Sequence, residues 1–488
     1  MINFASQHGI KTLAEGVETS EELDTVIALG ADYIQGYYTC KAMAAIMLEI
    51  PKSIKNEIVD INLKRKGYIM KSYEVSEENQ VVDIVNIALH GYTEIRVKCA
   101  RVKIVGEIEN TIDMTIVFPQ GTESVVTLEN INIKGFNGPA IVLEKNCYVT
   151  LNIEGSNNIT YEGIRVPSTS SLFVSGSGDL SVSCVHNNGV CIGGNYHQSF
   201  GKISFDSTGS IFAFASGENV IGIGGGAGKK DSEIIINSGT IVVKVRGISI
   251  IGIGSISGEL KTALSRADIS VAADGQKVIA IGIRIGKIDL TSSANLKIDC
   301  SGDSCCAIGT IEKSEGLIRI NNGNLDITVN AKYAMGIATV DSNVNVIIKN
   351  GCISVTGGGD KVICIGNASG SSDVVIFSGI IKAIARSSDP KTLSSDAGRI
   401  IIYGGNIITN DFEPITAYSQ YGGKLQRYML KDSKLFNEMV CDGKNTYGYS
   451  AYQSGYSPNI YMYLPENLQS ETFNTSLLTS GKETRFVI

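Results

Sequence analysis

Residues 221–224 read Ile-Gly-Ile-Gly, and the same step returns at 251–254. It recurs as Ile279-Ala280-Ile281-Gly282, Cys306-Ala307-Ile308-Gly309, Met335-Gly336-Ile337-Ala338 and Ile363-Cys364-Ile365-Gly366; Val190-Cys191-Ile192-Gly193 precedes them all. The closing positions, from Gly193 and Gly224 through Ala338 to Gly366, follow one another at about 28 residues, slightly more in the first two steps. A fixed period of that length is the mark of a solenoid, in which each repeat contacts only its neighbours.

A second motif keeps the same step. Gly239, Gly323, Gly351 and Gly379 each sit between two β-branched runs, as in EIIINSGTIVV, and Gly405 continues the row. Gly178 and Gly209 extend it backward, whereas the coils near Ala267 and Asn295 keep the strands and lose the glycine. Two motifs at one period imply three short strands per coil, with side chains alternating inward and outward. Stacking then puts like over like, so Ile281 is expected between Ile253 and Ile308. Glycine suits the corners, where positive φ or close approach is needed. Strands that always run parallel to their predecessors must advance with one hand, and the right hand is expected. The reading is mainly β: a right-handed parallel β-helix of about 28 residues per coil, from residues 67 to 410. Residues 67–180 carry the same strands in weaker register.

Residues 411–488 differ. The run TYGYSAYQSG followed by NIYMYLP alternates polar and aromatic residues. It reads as a small β module that covers the open end of the stack. Tyr447, Tyr449, Tyr452, Tyr461 and Tyr463 are its candidate ligand-binding residues, because tyrosine offers a flat apolar face with a polar tip.

The net charge of −7 and the absence of a long basic run argue against a nucleic-acid partner. Eleven cysteines at irregular spacing, without a C-x-x-C pair, read as reduced thiols. No run of 18 apolar residues occurs, so no membrane span is expected. MINFASQHGIKT has no signal-peptide character. The expected location is the cytoplasm.

The first 47 residues are a separate unit, and 48–66 are a charged linker of helical character. Thr12-Leu13-Ala14 is a short strand, and Thr19 with Glu22 makes a capping box that opens a helix over Ser20 to Leu29. Gly30 ends that helix, and Asp32-Tyr33-Ile34 forms a second strand. In such a β-α-β unit the polar residues at the strand ends carry chemistry.

The segments Ala14-Glu15-Gly16-Val17-Glu18-Thr19 and Asp32-Tyr33-Ile34-Gln35-Gly36-Tyr37 resemble the C-terminal end of the EAL domain, the cyclic di-GMP phosphodiesterase family. The resemblance implies Glu15 as the functional glutamate and metal-centre residue, with Glu18 and Gln35 as its neighbours. It also implies two divalent cations, Mg²⁺ or Mn²⁺, held largely by residues of earlier barrel strands. Those strands and the Glu-Ala-Leu signature are not in this sequence, and one carboxylate does not hold two cations. The expectation is a truncated, vestigial and inactive site that needs no cofactor, with an upstream EAL or GGDEF portion as a further partner.

Ile223-Gly224-Gly225-Gly226, Ile236-Asn237-Ser238-Gly239-Thr240 and Tyr463-Leu464-Pro465 resemble carbohydrate-binding parallel β-helix repeat proteins of Gram-positive anaerobes, over residues 180–466. That resemblance implies a polysaccharide or protein ligand, with Ca²⁺ possible on the β-helix. Other candidates are weaker as sequence. Asp231, Asp274, Asp303, Asp360 and Asp373 stand singly and read as turn residues rather than a Ca²⁺ site. Arg284 and Arg319 lack a repeated acidic partner. Cys184, His186, Cys191 and His197 include zinc-ligating atoms at a spacing that matches no known module. Gly222 to Lys230 has the composition of a phosphate loop without its ending or its helix. The favoured function is a non-catalytic binding or scaffold protein. The alternatives are the sensor of a phosphodiesterase completed upstream, and a polysaccharide lyase or hydrolase on the β-helix.

Overall fold

A computed structural model of the chain describes residues 11–41, 50, 51, 54, 55, 57, 58, 71–136 and 138–410, with strand backbone at 418–420, 423–429, 434–441, 448–452, 459–463 and 484–487. Strands dominate, at 65% against 5% helix. The main body is a parallel β-solenoid whose strands pair coil upon coil from Ser72–Val75 to Asn406–Thr409.

The stack is clearest along one inward column. Tyr73, Ile95, Ile116, Ile141, Ile164, Ile192, Ile223 and Ile253 lie one above the other in parallel register. Ile281, Ile308, Ile337, Ile365 and Leu393 continue it. All the isoleucines and the leucine in this column are buried to within 1% of complete. Each such side chain contributes about 1.5–3 kcal/mol on leaving water. Adjacent coils are about 4.8 Å apart, so β-branched residues pack tightly on their copies.

The column also measures the coils. From Tyr73 to Ile164 each step takes about 23 residues, and from Ile192 to Leu393 about 29 residues, both within the range of solenoid repeats. The period read from the Ile-Gly motif therefore holds only for the C-terminal coils. The N-terminal coils are the same fold with a shorter circumference, which explains their weaker repeat. In those short coils Asp83 caps a helix over Ile84–Leu89, accepting from the amides of Val85 at 2.8 Å and Asn86 at 3.3 Å. This helix was not expected from strand periodicity. Its Ile84, Val85, Ile87 and Ala88 join the main core.

The corner row depends on glycine. Gly193, Gly224, Gly254, Gly282, Gly309 and Gly366 all have φ between +128 and +150°. A β-carbon on Gly254 would lie 1.8 Å from the carbonyl oxygen of Gly282. Only a residue without one lets the coils approach that closely. A second, outward row, Val190, Ile221, Ile251 and Ile279, is also buried, with Tyr196 beside it and Ile256 and Ile311 packed against it. Cys305 points into the main core and Cys306 into a continuation of this outer row.

Parallel pairing runs on past residue 410, with Ile400 on Tyr418 and Asn406 on Lys424. Beyond it, Gly448–Tyr452 and Asn459–Tyr463 form an antiparallel hairpin. At the other end of the chain, β1 (Leu13–Ala14), α1 (Ser20–Leu29) and β2 (Tyr33–Ile34) make the expected β-α-β unit with β1 and β2 parallel. The capping box is complete: Thr19 accepts from the Glu22 amide at 3.2 Å, and Glu22 accepts from the Thr19 amide at 3.3 Å. Gly30 ends α1 at φ +82°.

Candidate functional site

In the β-α-β unit, Glu15 follows β1 and Gln35 follows β2, so both stand at the carboxyl ends of adjacent strands. The Gln35 amide donates to the Ala14 carbonyl at 2.8 Å, and the Val17 amide donates to the Gln35 carbonyl at 3.1 Å. The two residues are thereby held on neighbouring turns. Glu15, Glu18 and Gln35 are all exposed. The spacing of Gly36 has a steric cause, since a β-carbon there would sit 1.9 Å from the Val17 carbonyl oxygen. Tyr38 donates to the Glu57 carboxylate at 2.7 Å, and Ser20 also bonds Glu57, which ties the following segment to this unit.

Among the described residues, no three His, Cys, Asp or Glu side chains converge as cation ligands. Glu15 and Glu18 alone do not make a two-cation centre, and no catalytic step follows from them. Three of the single acids of the β-helix also have other work. Asp373 takes the Arg399 guanidinium at 2.7 Å, Asp274 accepts from Ser301 at 2.8 Å, and Asp303 faces Lys332 at 3.4 Å. Arg284 bonds Ser249, and Arg319 donates to Thr291 at 3.3 Å. Gly222 to Gly228 belong to a continuous strand, Lys202–Gly228, so the phosphate-loop composition serves the corner of a coil. Of the tail tyrosines, Tyr449, Tyr452, Tyr461 and Tyr463 lie on the terminal hairpin strands, and Tyr447 lies outside the described residues.

A cleft of about 350 Å³ opens on the β-helix where the short coils meet the long ones. Ile164 to Ile192 is the first of the long steps. Residues 194–201 leave the strand path there, and their ends are stitched to the next coil by Gly226 to Asn195 at 3.0 Å and Ala227 to Gln198 at 3.1 Å. The extra chain overhangs the smaller coil below. Asn195, Tyr196, His197 and Gln198 line the overhang, while Pro139, Glu162, Ile164 and Arg165 line the other side. Arg165 stacks on Val142 and under Gly193. A β-carbon on Gly193 would sit 1.7 Å from the Gly224 carbonyl oxygen, so glycine at that position serves the close approach of the next coil.

His186 and Asn188 complete the wall. The His186 Nδ1 is 2.9 Å from the Asn187 carbonyl oxygen, which can only accept, so Nδ1 carries hydrogen. Nε2, 3.1 Å from the Cys184 Sγ, is left to accept the thiol hydrogen. Cys184 is fully buried, and Cys191 beside it is pushed well up by burial and by Cys184. The four zinc candidates therefore do not form one ligand set: Cys184, Cys191 and His186 adjoin through thiol hydrogen bonds, and His197 is exposed against Tyr196. Two of the cleft residues, His186 and His197, stood out in the sequence. Glu162, Arg165, Asn188, Asn195 and Gln198 did not. Their signal was the lengthening of the coil between Ile164 and Ile223, which only stacking turns into a cavity.

The EAL domain family model matches residues 1–42. No curated protein and no solved structure matches the chain. The EAL match and the β1-α1-β2 geometry agree on the same segment, and neither extends into the solenoid. Among the described residues, no helix is long and apolar enough to cross a membrane.

Proposed function

We propose that this chain is a non-catalytic binding and scaffold protein, in which the β-helix takes a glycan-type ligand in the cleft at Arg165 and Tyr196. The cleft is the observation that carries the reading. Its size falls in the range of small-ligand pockets, and amide, imidazole and aromatic groups converge there without an accessible nucleophile. The tail tyrosines would add stacking surface for an extended chain. The test is retention of the full chain on pectin, cellulose and peptidoglycan, with and without Ca²⁺. Retention on at least one is expected, weakened by Gln198→Ala in the cleft wall. Passage through all three columns removes this reading.

The EAL match at residues 1–42 favours a second reading, in which the β-helix is the sensor of a cyclic di-GMP phosphodiesterase whose remaining barrel is supplied upstream. Under both readings the chain alone is expected to show no turnover of cyclic di-GMP with Mg²⁺ or Mn²⁺; an in-frame Glu-Ala-Leu segment in the upstream DNA would establish the second reading, and its absence there would remove it. The same absence of turnover is expected on polysaccharides, where release of unsaturated or reducing ends would mark a lyase or hydrolase.

A further inference from the structure

We infer that the group seated in this cleft is a small zwitterion, carrying a carboxylate for Arg165 and an ammonium for Glu162. The inference rests on the binding reading above and specifies the ligand's charge. Glu162 and Arg165 are both half-buried, and both line the same cleft. Among the described residues, neither side chain has a hydrogen-bond or ion-pair partner, whereas the other half-buried arginines, Arg96, Arg284 and Arg319, all do. The two also make no bridge with each other, although only two residues separate them. Partly desolvated charges left unpaired are a standing cost to the fold. A ligand with both charges relieves both at once, whereas an anion alone leaves the Glu162 carboxylate facing it.

The backbone here is shaped at similar cost. Tyr161, next to Glu162, has φ +87°, and Asn188 in the cleft wall has φ +60°. An aromatic residue at positive φ is a rare conformation that surrounding contacts must enforce, and such residues cluster at ligand sites. Tyr161 carries Lys134 5.7 Å above its ring and His186 at 6.0 Å. The cleft volume of about 350 Å³ admits a dipeptide or a single amino-sugar acid. Asn188, Asn195 and Gln198 supply donors and acceptors for the neutral part.

The experiment titrates the full chain by calorimetry with alanylalanine, its N-acetyl form, its C-terminal amide and muramic acid. Alanylalanine or muramic acid is expected to bind, and the stronger of the two identifies a peptide or an amino-sugar source. Each capped dipeptide should bind at least tenfold more weakly than the parent. Arg165→Gln and Glu162→Gln should each weaken the zwitterion at least tenfold, with the circular dichroism spectrum and thermal midpoint kept as a check on folding. Equal affinity for capped and uncapped forms, or indifference to both variants, overturns the inference. So does silence toward both zwitterions. If a neutral saccharide then binds and is lost in Gln198→Ala, the binding reading survives without the zwitterion. If nothing binds, both fall.

Discussion

Replacing Gly254 by alanine should unravel the middle of the solenoid and leave its ends alone. Gly254 has φ +150°, and the added β-carbon would meet the Gly282 carbonyl oxygen at 1.8 Å. The backbone conformation costs an alanine about 1–3 kcal/mol. Relieving the contact to an ordinary C···O separation of about 3.3 Å means moving one coil by roughly 1.5 Å. That shift is large beside the strand spacing of about 4.8 Å, and it weakens ladder hydrogen bonds worth about 1 kcal/mol each. The sum is about 3–5 kcal/mol. Because solenoid coils contact only their neighbours, the loss should be local. Amide hydrogen exchange should accelerate roughly 100- to 5,000-fold in the strands around Gly224, Gly254 and Gly282, at about 1.4 kcal/mol per tenfold. The coils around Ile95 and Ile116 should exchange as before. Gly138 is the control, since its β-carbon has nothing nearer than the Glu162 carboxylate at 3.9 Å; Gly138→Ala should change stability by less than about 0.5 kcal/mol. Parent-like exchange in Gly254→Ala, or protection that falls evenly from end to end, would show that this glycine does not set the spacing of its coils.

Four further outcomes follow from the packing. Ile308→Ala removes one rung of the inward column between Ile281 and Ile337 and should cost about 2–5 kcal/mol, read from the same exchange experiment. Burial pushes the Cys306 and Cys364 thiols up to about 12, so a thiolate-selective alkylating reagent at pH 8 should label exposed Cys352 and spare those two until the chain unfolds. Since the folded chain keeps those protons after the unfolded chain has lost them, stability should fall as pH rises from about 9 toward 12. Arg399 holds the Asp373 carboxyl below its ordinary value, so the pair contributes above that value and is lost as pH falls through the folded one. Arg399 is well exposed, and Asp373→Asn should therefore cost no more than about 1 kcal/mol by urea denaturation at neutral pH.

The residues that repeat were readable because stacking copies a local rule. Ile281 was placed between Ile253 and Ile308 from spacing alone, and the Ile281–Ile308 register in the sheet agrees. The Thr19 and Glu22 box and the Gly30 stop were equally local, since capping is decided within four residues. The short N-terminal coils were harder to read: their smaller steps blur a search tuned to the longer period, and Asp83 interrupts the strands with a helix.

The cleft lies beyond that kind of reading. Glu162 and Arg165 look like ordinary outward residues of one strand end, and Asn195 to Gln198 look like a turn. They face one another because a coil of one circumference is stacked on a coil of another, and the overhang exists only in three dimensions. The solenoid, its glycine corners and the β-α-β unit are legible along the chain, because each depends on neighbours at a fixed separation. Tertiary structure alone decided which charges share a cavity and which thiols are sealed, because those depend on what the adjacent coil fails to fill.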